Sequence, residues 1–161
     1  MSGLPELDKP DQEAFARTLD EFLIGSRALR AFLLERAGYI LCRAGKTPEI
    51  DSDQFAALAS NAFNAIDELA RGLDESDFKT LHQRGGRHQT LIFRIEESCL
   101  LVAIFPSDVG ITDIEHAADS AIIAIANQLS VARARLPSAN VDLADHNPHQ
   151  FEDMFFRRKP S

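Results

Sequence analysis

The chain has no tryptophan, one tyrosine and only two cysteines among 161 residues. Cys42 and Cys99 stand far apart and form no CxxC pair, so a disulfide framework and a thiol-redox motif are both unsupported. Each alternates with apolar neighbours, which reads as buried structural cysteine. Positive charge is also short: 17 Lys and Arg against 25 Asp and Glu leave a net charge of −8. Nucleic-acid binding needs a basic face to meet phosphates, so the balance argues against that class, and against adsorption to anionic membranes. No apolar run approaches the roughly 18 to 20 residues of a membrane span. The opening MSGLPELDKPDQE lacks the apolar centre of a secretory signal, and a cytoplasmic location is expected.

Catalytic motifs are missing as well. There is no GxxxxGK[ST] phosphate loop and no GxSxG nucleophile turn. Gly85-Gly86 is an isolated pair with no helix after it to receive a phosphate. His82 and His88 can face each other across a hairpin but lack a third ligand, and His146 and His149 lie in a polar stretch. Arg84 and Arg87 at a hairpin tip can reach a phosphate supplied by a partner, although exposed turn arginines are common. The expectation is a protein with no catalytic residue, no metal and no cofactor of its own.

What is present is a core. Hydrophobic residues make up 45% of the chain, with eleven phenylalanines, enough for one domain of ordinary size. Pro5 and Pro10 mark residues 1–11 as a loose leader. From Gln12 to about Gly25, Phe15, Leu19, Phe22 and Leu23 make one helical stripe, ended by Gly25 and Ser26. LRAFLLERA and GYILCRAG are two short apolar runs joined by a turn in which Gly38 can take positive φ. Asp51 then caps a long helix, with Gln54 as its capping-box partner. Phe55, Leu58, Ala59, Ala62, Phe63, Ile66, Leu69, Ala70 and Leu73 form its expected core stripe, with Gly72 as the left-handed end.

Three strands follow. Phe78–Arg84 is polar enough for an edge, and Arg84-Gly85-Gly86-Arg87 turns the chain into Thr90–Glu96. In Cys99–Phe105 both alternating faces are apolar, which places this strand at the centre, covered on both sides. Thr112 with Glu115 suggests a second capping box. The helix behind it carries Ile111, Ile114, Ala118, Ile122, Ile125 and Leu129 to about Arg135, and Pro137 stops it. The domain is thus expected over residues 12–136, with a linker at 137–150 and an apolar, basic tail at 151–161. The order αββαβββα predicts an α+β fold: a five-stranded antiparallel sheet, one long helix on one face and two helices on the other.

This order resembles the roadblock / dynein light chain family, in particular its bacterial members of the MglB type. The residues that carry the likeness are the Leu33-Leu34-Glu35-Arg36-Ala37-Gly38-Tyr39-Ile40-Leu41 hairpin, the DSDQFAALASNAFNAIDELARGL helix and the apolar strand after Glu96. The likeness covers Gln12 to Arg135. It implies a homodimer in which third strands pair edge to edge and second helices pack side by side. It also implies a small Ras-like GTPase as partner, whose hydrolysis is stimulated through its own catalytic groups without an inserted arginine. Two alternatives stay open: a roadblock scaffold that leaves nucleotide turnover unchanged, and a ligand-sensing domain.

The side of the long helix away from its core stripe carries Ala57, Ser60, Asn61, Asn64, Ala65 and Glu68, mostly small or short residues. Such a face lets two helices approach closely. With Thr80, His82 and Arg84 on the edge strand, it makes the expected dimer interface, which Asn61→Arg or Ala57→Glu would break. In the tail, Phe151, Met154, Phe155 and Phe156 are costly to leave in water, and Arg157 and Arg158 follow them. They are expected to dock on the parent domain, on a dimer mate or in a partner's groove.

Overall fold

The computed structural model describes residues 3–135, and the linker and tail expected at 137–161 lie outside them. The elements are α1 (Lys9–Ser26), β1 (Arg30–Glu35), β2 (Ile40–Gly45), α2 (Ser52–Gly72), β3 (Thr80–Arg84), β4 (His88–Glu96), β5 (Cys99–Pro106) and α3 (Ile111–Ala134). They make one antiparallel five-stranded sheet in the order β2-β1-β5-β4-β3. The expected αββαβββα order and the central place of β5 are both observed. None of the helices among the described residues is long and apolar enough to cross a membrane.

The alternation in β5 sorts the core into two layers. Cys99, Leu101, Ala103 and Phe105 pack with α1 and α3, through Phe15, Leu19, Ile114, Ile125 and Leu129. Leu100, Val102 and Ile104 pack with α2, through Ala56, Ala59 and Phe63. Burial pushes the Cys99 thiol up to about 11 and raises that of half-buried Cys42, so neither is an activated nucleophile.

Helix ends depart from the sequence reading in instructive ways. The helix α1 starts three residues earlier than expected, because Asp8 and Asp11 form a reciprocal capping box: Asp11 N donates to Asp8 Oδ1 (3.1 Å) and Asp8 N to Asp11 Oδ2 (2.8 Å). Pro10 falls in the first turn, where its missing N–H has no helical partner to lose. Gly110, not Thr112, caps α3, and no side chain takes part. At Asp51 the box is one-sided: its carboxylate accepts from Gln54 N at 3.2 Å. The left-handed residue after α2 is Asp74 rather than Gly72. Gly38 does take positive φ, +103°, in the β1–β2 turn, as its sequence position predicts.

Gly45 is a second positive-φ glycine, at +88°, and a side chain there would collide with the Leu29 carbonyl oxygen. Strain and overlap act together, so Gly45→Ala is expected to destabilise the fold by about 2 kcal/mol or more. Gly72→Ala meets open space and costs little or nothing. Thermal unfolding of the two variants, measured side by side, checks this.

Candidate functional site

Three exposed leucines share one flank of α2. Leu58, Leu69 and Leu73 are 60%, 59% and 69% exposed, where the sequence pattern placed them in the core. Of the expected stripe Ala59, Phe63 and Ala70 are buried, and Ala56, Ser60 and Asp67 complete the buried face. At 100° per residue, this face is rotated by roughly a quarter of a turn from the apolar stripe.

The cause is an ionic cluster under the helix. Asp67 is buried and accepts from Arg36 Nη2 of the β1–β2 turn (2.8 Å), Arg94 Nη2 of β4 (2.7 Å) and Arg71 Nη2 of its own helix (3.2 Å). Both Arg36 and Arg94 lie over the Phe63 ring, each 5.6 Å from its centroid. Burial raises the Asp67 carboxyl, but the three guanidiniums more than offset it and hold it below the usual carboxylate range. Arg36 Nε also donates to Asn64 Oδ1 (3.0 Å), and Asn64 Nδ2 donates to the Arg36 carbonyl (3.2 Å). These polar groups fix which side of α2 faces the sheet.

The sequence-expected face therefore divides. Ser60 is buried, 1% exposed, and Asn64 is engaged with Arg36, so the assignment of both to an outer face is corrected. Ala57 lies beside Gly38, whose added Cβ would stand 3.2 Å from the Ala57 Cα. This flank thus looks toward the β1–β2 hairpin, the far side of α2 from β3. Asn61, Ala65 and Glu68 are exposed, and helical spacing sets Ala65 beside the leucines.

On the other flank, α2 and the edge strand β3 enclose an apolar groove of about 260 Å³. Its walls are Phe55, Leu58 and Ala62 on the helix and Leu81, Gln83 and Ile92 on the sheet. As expected, β3 is an edge strand with β4 as its sheet neighbour. Its register places Thr80, His82 and Arg84 opposite Phe93, Leu91 and Gln89, on the α1/α3 side of the sheet. Side chains of these three therefore point away from the groove, and Leu81 and Gln83 are the β3 residues that line it. His82 lies over Phe105 (6.3 Å between ring centroids) and meets Gln89 Oε1 through Nε2 at 2.8 Å. Gln89 Nε2 donates to the carbonyls of Pro106, Ser107 and Val109, so its Oε1 is the acceptor for His82. His88 is on the opposite sheet face, and the two histidines do not converge. Arg84 and Arg87 flank the exposed β3–β4 turn.

Two further carboxylates tie the C-terminal end of α3 to α1 and β4. Asp11 accepts a bidentate pair from Arg135 (2.8 and 3.1 Å) and Gln128 Nε2 at 2.7 Å. Glu96 is paired bidentately with Arg133. Arg135 holds the Asp11 carboxyl well below the usual range against the opposing effect of burial, and Arg133 likewise lowers Glu96. Asp11, Asp67 and Glu96 therefore bind protons more weakly folded than unfolded. Their contribution to stability is full above the unfolded values of 3.8 for Asp and 4.5 for Glu, and is lost as pH falls through the folded ones. Denaturant midpoints are expected to hold between pH 6 and 7 and to fall steadily below about pH 4. A midpoint unchanged at pH 3 would contradict these pairings.

The comparisons with known proteins bear on the fold directly. The family model for the Roadblock/LC7 domain matches residues 7–105, which takes in everything from the α1 cap to β5. Among solved structures, the gliding protein MglB of Thermus thermophilus matches with a TM-score of 0.72 at 22% identity, over 81% of this chain and 98% of that one. Myxococcus xanthus MglB matches with a TM-score of 0.74 at 18% identity, over 79% and 96%. A structure described as MglB with tetrameric arrangement matches at 0.74 and 23%, over 82% and 99%. No curated protein sequence matches the chain. With the family model spanning more than half of its length and the sheet order and layers in place, this chain belongs to the Roadblock/LC7 family.

Proposed function

We propose that the protein is a homodimeric regulator of a small Ras-like GTPase, stimulating hydrolysis by arranging the GTPase's own catalytic groups. The observation that carries the dimer is the exposed leucine flank of α2 running beside the open edge of β3. Leu58, Ala62, Ala65, Leu69 and Leu73 share that flank, and Leu58 and Ala62 also line the apolar groove. Side-by-side α2 helices cover the leucines while β3 strands pair across the two-fold axis. The GTPase partner comes from the likeness to MglB-type roadblock proteins, and the raised cysteine thiols fit a regulator with no nucleophile of its own.

The test is single-turnover GTP hydrolysis by a small Ras-like GTPase from the same organism, with and without the protein. Stimulation is expected. Alanine at Arg84 and Arg87 should change it less than tenfold, because a supplied arginine finger is worth about 10³–10⁵ in rate. Loss of a thousandfold with binding intact would assign the finger to this chain. Binding without stimulation would make the protein a scaffold.

A further inference from the structure

A second groove, of about 280 Å³, lies on the opposite side of the sheet, between the C-terminal half of α1 and the N-terminal half of α3. Its walls are mainly apolar or small: Thr18, Phe22 and Gly25 from α1, and Ala117, Ser120 and Ala124 from α3. Glu21 and His116 also line it, and Glu21 makes no ion pair among the described residues. The groove is continued along α3 by Asn127, Val131 and Ala134, all exposed and uncharged, toward the point where the described chain ends at Arg135. This uncharged track thus leads from the groove to the start of residues 136–161.

We infer that the groove is the seat of this chain's own C-terminal segment, with Phe155 and Phe156 in the apolar trough and the basic run Arg157-Arg158-Lys159 beside Glu21. Reach permits it. From Arg135 back to Ala124 is about 17 Å along the helix axis, and the fifteen residues 136–150 can span up to about 50 Å. Charge favours it: α1 and α3 carry more carboxylates than cations, and the last residues of the chain are basic. Size favours it too, since Thr18, Gly25, Ser120 and Ala124 in its lining are short and leave room for aromatic rings beside Phe22. The groove and the α2 flank lie on opposite faces of the sheet, so tail docking leaves the proposed dimer surface free.

Amide hydrogen exchange on the full chain tests this. In Phe155→Asp/Phe156→Asp, amides of residues 18–25 and 116–124 are expected to exchange about tenfold faster, while β5 is unchanged. Filling the trough from the other side, with Ala124→Trp, is expected to speed tryptic cleavage after Arg157 and Arg158 by a similar factor. The same groove protection should persist in a Leu58→Glu chain, whatever its oligomeric state. Unchanged groove amides in the double variant would overturn the inference, as would changes confined to Leu58–Leu73 and Leu81. Cleavage rates indifferent to Ala124→Trp, or groove protection that vanishes on dilution, would overturn it too, the last by giving the segment to a second copy.

Discussion

Leu58→Glu and Leu69→Glu are each expected to convert the protein from a dimer into a folded monomer. Both leucines are more than half exposed in the single chain, so neither substitution removes core packing. A leucine fully buried in an interface contributes about 1.5–3 kcal/mol. An interface can bury only the exposed three-fifths of each side chain and a two-fold axis counts every substitution twice, so the lost contact reaches about 2–4 kcal/mol before the cost of burying carboxylates is added. The dissociation constant is then expected to rise at least about a hundredfold. Light scattering reads this directly, and thermal unfolding should confirm that the fold persists. Ala57→Glu serves as the contrast, because Ala57 lies toward Gly38 on the other flank and its charge meets the hairpin rather than a second helix. A dimer that survives both leucine variants and dissociates with Ala57→Glu would return the interface to the small-residue face.

The largest loss of stability from a polar substitution is expected at Asp67. Its carboxylate is the anion shared by Arg36, Arg94 and Arg71, and Arg36 and Arg94 are held over one phenylalanine ring. Asp67→Ala leaves these two guanidiniums close together with little beyond the exposed Glu97 to balance them. Removing one partner of a buried pair costs about 3–5 kcal/mol. The guanidinium side chains keep 18% and 15% of their exposure, so about 2–4 kcal/mol is expected here, a fall in Tm of roughly 6–12 °C. Glu68→Ala, one residue along and exposed, should stay within about 0.5 kcal/mol of the parent. Equal effects at the two positions would show that the cluster does not hold α2 to the sheet.

That same cluster marks where the sequence stops being legible. Strand β5 is read correctly because both of its faces are apolar and alternation leaves one solution. On α2 the apolar pattern is just as regular, yet only part of it, Ala59, Phe63 and Ala70, is buried, and Leu58, Leu69 and Leu73 are exposed. Periodicity identifies an apolar stripe but not what covers it, and here its leucines stay exposed while Ser60 and Asp67 turn inward. Asp67 can do so only because Arg36 and Arg94, distant in sequence, meet it, and no local pattern announces that meeting. The caps tell a similar story. Thr112-x-x-Glu115 fits the template and is unused, whereas Asp8-x-x-Asp11 departs from it and is the box that forms. On β3 the edge position is legible from its polarity, but which side chains face α2 depends on a register that hydrophobicity specifies weakly in so polar a strand.

The decisive measurement is GTP hydrolysis by the partner GTPase in the presence of the parent protein or of Leu58→Glu, each at a concentration where light scattering has fixed its oligomeric state. The parent dimer is expected to accelerate hydrolysis and the folded monomer to leave it at the intrinsic rate. Stimulation by the monomer equal to that of the parent would contradict a regulator built across the α2 and β3 two-fold axis.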